Sequence, residues 1–174
     1  VCAIGLFDLD AARMESFAAD LRALGFQGEI AVAPSAEALL GNCDLLAFGT
    51  SAVVPSVTTL AMCRPGTTVL HTSLRDFSPA AVLEADNVVD DVDHVLQANT
   101  SLHLAEQQTG RRDFVRATLA QVLEGNVPAR AGDGARCVLY SPFGLAALDL
   151  AFGEFVARRC REAGQGIVVP DFLP

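Results

Sequence analysis

Short apolar runs that end abruptly on polar groups, with helical spacing between them, constrain this sequence most. Val1 to Phe7 is apolar throughout and stops at Asp8, after which Met14, Phe17, Ala18, Leu21 and Leu24 recur at helical spacing until Gly25. Glu29 to Val32 and Cys43 to Phe48 are further strand-like runs, separated by a brief helix that Ser35 caps and that ends near Leu40. After the Pro65 and Gly66 turn come a strand from Thr67 to Leu70, a helix opened by Ser78 and Pro79 and running to Glu84, and a short strand from Asn87 to Val89. Strands without alternation are buried on both faces, and strand–helix alternation makes their sheet parallel.

Further along, the spacing predicts helices over Asp93 to Gln108 and Phe114 to Leu123 and a turn-rich connection from Gly125 to Gly134. A last strand from Arg136 to Tyr140, a long helix from Leu145 to Ala163 stopped by Gly164, and an irregular tail complete the pattern. The expected fold is α/β: a Rossmann-type doubly wound, mainly parallel sheet. No glycine-rich phosphate loop precedes the first apolar run, so the expectation is a sheet lacking its first strand and that loop. Residues 1–143 read as a partial nucleotide-binding domain. Residues 144–174 read as a helix and tail whose wide apolar stripe packs on a missing domain or a partner subunit.

At 174 residues and 51% hydrophobic the chain can bury a real core. A net charge of −9 repels a phosphate backbone, so nucleic acid is not an expected partner. All twelve basic residues are arginine, which removes lysine Schiff-base chemistry from this segment. The five cysteines sit mostly in apolar runs without Cys-x-x-Cys spacing, as in a cytoplasmic protein with neither a disulfide framework nor a zinc site. No charged leader and no bilayer-length run is present, and no membrane association is expected.

In a wound parallel sheet, ligands bind at the strands' carboxyl ends. Asp8 follows the first strand, where an acid accepts hydrogen bonds from adenosine ribose hydroxyls and repels an added phosphate, favouring NAD over NADP; the alternative is a helix cap, for which Asp10 is better placed. Thr50 and Ser51 lie just past the third strand, able to approach a nicotinamide ribose or phosphate, although alone they read as turn residues. The run from His71 to Asp76 continues the fourth strand into the crevice. Asp76 is either a general base, if burial raises its pKa, or a helix-entry acid, and His71 is otherwise a satisfied polar residue at a strand end. The cluster of Asp90, Asp91, Asp93, His94 and His103 matches no metal spacing, so no metal is expected. No Gly-x-Ser-x-Gly elbow supports a serine hydrolase.

At His71 to Asp76, Val89 to His94, Thr100 to Gln107 and Ser141 to Leu150 the chain resembles the ornithine cyclodeaminase and mu-crystallin family, covering its C-terminal half. More narrowly, these runs resemble the branch that makes 2,3-diaminopropionate for siderophores and peptide antibiotics. The resemblance implies an NAD-binding Rossmann-type domain joined to a substrate domain, built mainly from the N-terminal half, that also forms a homodimer. It implies cofactor contacts at Asp8, Thr50, His71, Ser73, Leu74 and Arg75, a catalytic acid/base at Asp76, and Phe143 lining the substrate and nicotinamide pocket. Ser141 and Pro142 stand where the cyclodeaminases carry a lysine and small residues, which argues against ornithine cyclisation.

The implied reaction is NAD-dependent oxidation of N-(2-amino-2-carboxyethyl)-L-glutamate, followed by hydrolysis to 2-oxoglutarate and 2,3-diaminopropionate. The alternatives are ornithine cyclodeamination, reduction of a cyclic imine or keto acid, a non-catalytic nucleotide-binding protein of the crystallin kind, or a structural fragment.

Overall fold

A computed structural model describes residues 1–169 of the chain. Its strands fall into two parallel sheets. In the first, β1 (Ala3–Leu6) pairs with β2 (Glu29–Val32), and α1 (Ala11–Ala23) supplies the crossover. Asp10 caps α1 by accepting the Ala12 amide. The second sheet holds β3 (Leu45–Phe48), β4 (Thr68–His71), β5 (Asp86–Val89), β6 (Val115–Thr118) and β7 (Val138–Ser141) in the order β3-β4-β7-β5-β6. All its pairings are parallel, so every strand ends at the same edge.

Short helices make the connections, each begun where its sequence supplies a cap. Ser35 caps α2 (Ala36–Asn42), and Ser78 caps α3 (Pro79–Glu84), whose first residue is a proline that needs no amide partner. Two sequence expectations are corrected here. The helix expected from Asp93 to Gln108 is broken into α4 (Val92–Val95) and α5 (Ser101–Thr109). Ala98 and Asn99 are left-handed, at φ 52° and 55°, and Thr100 starts a new helix by accepting the His103 amide. The helix expected from Phe114 is instead β6 followed by α6 (Leu119–Leu123). Val115 and Ala117 pair with β5, and Thr118 with Gln121 forms a reciprocal cap that delays the helix by five residues.

The core lies against the face that carries Leu46, Val69, Leu139 and Val89, all buried. Leu40, Phe77, Val82, Val95, Leu102 and Ala105 cover that face from the helices and loops, and α3 packs against α5. At the opposite end of the strands Asp86 is buried beside Arg116, whose Nε donates to its Oδ1 at 2.5 Å.

The chain divides into one unit spanning Val1–Phe143 and another that begins at Gly144. The second contains α7 (Ala146–Glu162), none of whose residues is buried, and Gly164 follows it at φ 64°. Leu148, Leu150, Phe152, Phe155 and Val156 of α7 are exposed. Part of the irregular tail expected after Gly164, residues 170–174, lies outside the described residues.

Candidate functional site

The site is built at the carboxyl edge of the five-stranded sheet by register. Leu70 is the rung partner of Tyr140, so the next residues, His71 and Ser141, end neighbouring strands side by side. Alternation places both on the buried face with Val69 and Leu139. His71 Nδ1 lies 3.0 Å from Ser141 Oγ, a contact between residues seventy apart in sequence. The edge of the His71 ring also stands against Phe77, with centroids 4.8 Å apart, and Phe77 meets Phe48 at the same separation.

Beyond β4 the chain turns back on itself. Leu74 has a left-handed φ of 75°, and the Arg75 amide donates to the Ser73 carbonyl at 3.1 Å. This tight turn brings Ser73 and Asp76 together, so that Ser73 Oγ donates to Asp76 Oδ2 at 2.5 Å. Contacts from the start of α5 and the residues just before it hold the turn. The Ser101 amide donates to the Leu74 carbonyl at 2.7 Å, and the Arg75 guanidinium donates to the Ala98 carbonyl at 2.8 Å. From the other side, the amides of Ser56 and Val57 donate to the Asp76 carbonyl at 2.9 and 2.8 Å.

Asp76 is 1% exposed and His71 0%. The carboxylate accepts from Ser73 and from His71 Nε2, 3.2 Å away, on Oδ2, and from the Thr50 hydroxyl on Oδ1. An ionised carboxylate only accepts, so its 3.2 Å contact calls for a proton on Nε2, with Nδ1 then accepting from Ser141 in the neutral ring; the Asp76 amide approaches the same Nε2 at 3.4 Å, a longer contact that the other tautomer would use. Burial pushes the Asp76 carboxyl up, but hydrogen bonds from His71, Ser73 and Thr50, with the charge of His71, outweigh it and hold the pKa below its ordinary value. This reverses the expectation of a burial-raised base. Hydrogen bonds to the carboxylate therefore favour its ionised form.

The other residues named from sequence fall as follows. Asp8, partly exposed after β1, accepts the Asp10 amide on Oδ1 at 2.9 Å. Ser51 is exposed beside Thr50, and Gly49 has open space where a side chain would begin. Leu74 and Arg75 are half-buried in the turn. Phe143 packs, partly buried, against the core. His71 has no exposed surface, and its ring connects to the rim through Asp76 and the hydroxyls of Ser73 and Thr50.

The acidic cluster is spread over local tasks. Asp91 caps α4, Asp93 pairs with Arg112, and His103 accepts the Asn99 amide. Among the described residues no group of three or more His, Cys, Asp or Glu side chains converges as a metal site. Sequence reasoning gave no separate role to Ser141 or Ser101. Ser141 ends an apolar run, as His71 does, but the signal has meaning only once β7 is known to lie beside β4.

No protein-family model matches the chain, and no curated protein matches it. Solved structures do. The Δ1-pyrroline-2-carboxylate reductase of Thermococcus litoralis, in complex with NADH and L-proline, is 22% identical with a TM-score of 0.86 over 96% of this chain and 53% of its own. An archaeal alanine dehydrogenase dimer with bound NAD is 21% identical with a TM-score of 0.83, covering 99% of this chain and 53% of that one. A probable ornithine cyclodeaminase from Bordetella pertussis Tohama I is 25% identical with a TM-score of 0.72, over 95% of this chain and 53% of that one. The chain has the Rossmann-like fold of these proteins. It spans about half the length of each.

Proposed function

We propose that this chain is the nucleotide-binding part of an NAD-dependent oxidoreductase of the ornithine cyclodeaminase and mu-crystallin family that acts on a carbon–nitrogen bond of an amino acid. The observation that carries the reading is the buried Asp76, with three hydrogen-bond partners on its carboxylate, at the carboxyl edge of a Rossmann-like sheet. The solved structures of like fold with NADH or NAD bound support the cofactor.

The residues present fit NAD. Asp8 has its Oδ2 without a partner among the described residues, suited to a ribose hydroxyl. Gly49, Thr50 and Ser51 offer an open backbone at the end of β3 for a ribose or phosphate. Leu74, Arg75 and Ser73 form the turn beside it, and Phe143 follows β7 at the same edge. NAD, when bound, supplies the hydride acceptor. The exposed apolar face of α7 suits return to a substrate and dimerisation domain.

The substrate we infer is N-(2-amino-2-carboxyethyl)-L-glutamate. Hydride leaves the glutamate α-carbon as the nitrogen lone pair forms the C=N bond. Asp76 takes a proton from the water that adds to that carbon and returns it to the nitrogen as the carbon–nitrogen bond breaks. The products are 2-oxoglutarate and 2,3-diaminopropionate, with one reduced cofactor and one proton released.

The test is the full-length protein with NAD and this substrate, following reduced cofactor and 2-oxoglutarate together, with ornithine and proline formation as the comparison. Asp76→Asn is expected to lower turnover by about 10²- to 10⁴-fold while NAD still binds. Unchanged turnover removes Asp76 from the chemistry. Binding without any reduced cofactor identifies a non-catalytic nucleotide-binding protein.

A further inference from the structure

A carboxylate offers about four in-plane acceptor positions, two on each oxygen. In Asp76 both positions on Oδ2 are taken, by His71 Nε2 at 3.2 Å and Ser73 Oγ at 2.5 Å. Among the described residues Oδ1 accepts from Thr50 alone, which leaves it one position. Thr50 is exposed, whereas His71 and Ser141 are entirely internal. The two oxygens are therefore inequivalent: Oδ2 carries two partners, one of them the internal His71, whereas Oδ1 carries the hydroxyl of the exposed Thr50.

The geometry points to His71, braced by Ser141, as a positioning residue that occupies Oδ2 of Asp76 from inside the sheet, so that Oδ1 is the oxygen that exchanges the proton. This rests on the reading of Asp76 as the acid/base of the site. The brace is rigid because its members are the last residues of adjacent strands, and because the His71 ring is wedged edge-on against Phe77. A histidine free to rotate would let the carboxylate turn and expose Oδ2. Held by Ser141 at 3.0 Å, the ring keeps Nε2 aimed at one oxygen. Serine and histidine thus support the acid, and neither touches the reacting atoms.

The charged and titratable groups around the carboxylate are few. His71 approaches from β4, and Arg75, next in the turn, directs its guanidinium to the Ala98 carbonyl. Thr50, Ser73 and Ser141 contribute neutral hydroxyls.

The experiment is a ¹³C-carboxyl NMR titration of the aspartates in the full-length protein, with the Asp76 signal assigned by its loss in Asp76→Asn. His71→Leu removes the donor, His71→Gln restores one at the Nε2 position, and Ser141→Ala removes only the brace. The Asp76 midpoint is expected to rise by about one unit or more in His71→Leu, less in Ser141→Ala, and to return toward wild type in His71→Gln. Turnover should fall about tenfold in His71→Leu with the KM for NAD unchanged.

A midpoint that stays within about 0.3 unit of wild type in both His71→Leu and Ser141→Ala overturns the proposal. If His71→Leu does not fold, Ser141→Ala alone decides it, since that change removes one oxygen. Should Asp76→Asn retain turnover, the acid/base reading fails by itself, and the titration still reports whether the brace exists.

Discussion

Ser101 grips the turn around Phe77 at two points: its hydroxyl accepts the Phe77 amide at 3.1 Å, and its own amide donates to the Leu74 carbonyl at 2.7 Å. The first bond comes from a side chain with no solvent exposure, at the start of α5. Replacement by alanine leaves the Phe77 amide without its partner beside a left-handed Leu74. Ser101→Ala is expected to destabilise the fold by about 1–3 kcal/mol, the cost of a buried donor left unpaired. Urea unfolding measures it, and amide exchange at Phe77 should accelerate more than exchange in β7.

The Asp76 network makes stability depend on pH. Its folded-state pKa lies below the ordinary 3.8, so the ionised acid adds stability that is fully present above that value. The contribution is lost as pH falls from about 3.8 through the folded-state pKa, where the unfolded chain binds the proton first. Asp76→Asn lacks this group. Its stability difference from wild type should therefore shrink as pH is lowered from neutrality through that window, and a constant difference in acid denaturation curves contradicts the direction of the shift.

Asp86 is buried at the start of β5 with one oxygen on Arg116 and the other on the Ala131 amide at 2.9 Å. Arg116→Met strands that carboxylate without its cation, and a loss of about 3–5 kcal/mol is expected. Adding Asp86→Asn removes the charge and should recover part of the loss. A double-mutant cycle by chemical denaturation checks this, and simple additivity of the two changes speaks against coupling.

Cys137 lies just before β7 in the core, and burial pushes its thiol up to about 12, with Cys63 nearby adding to the rise. Only the thiolate is nucleophilic. Brief alkylation of the native protein at pH 8 with mass-spectrometric mapping is expected to label exposed Cys2 and spare Cys137. Labelling of both at equal rates indicates that the β7 entry opens readily.

Local chemistry wrote much of the fold into the sequence. The caps at Asp10, Ser35 and Ser78 fall where short polar residues meet helical spacing, and Pro79 stands at the first position of α3, because each needs only its own neighbours. The strands β2 and β5 were legible as apolar runs within one residue of their observed limits. Where pairing with a distant strand decided the outcome, spacing misled. Val115 to Thr118 reads as helix alone but joins β5, and the break at Ala98 and Asn99 separates two helices that share one apolar period.

By itself the sequence determined that polar groups follow apolar strands, and hence that Thr50, the run from His71 to Asp76, and Ser141 belong to strand ends. Only the tertiary structure decided that β7, last in the chain, enters the sheet between β4 and β5, putting Ser141 against His71. The charge of Asp76 was decided at the same level. Burial alone would raise its pKa, and the donors that reverse the shift come from β3's end, β4 and a left-handed turn that sequence spacing does not encode. Hydrogen bonds depend on positions in space to a few tenths of an ångström, and those positions are a property of the assembled sheet.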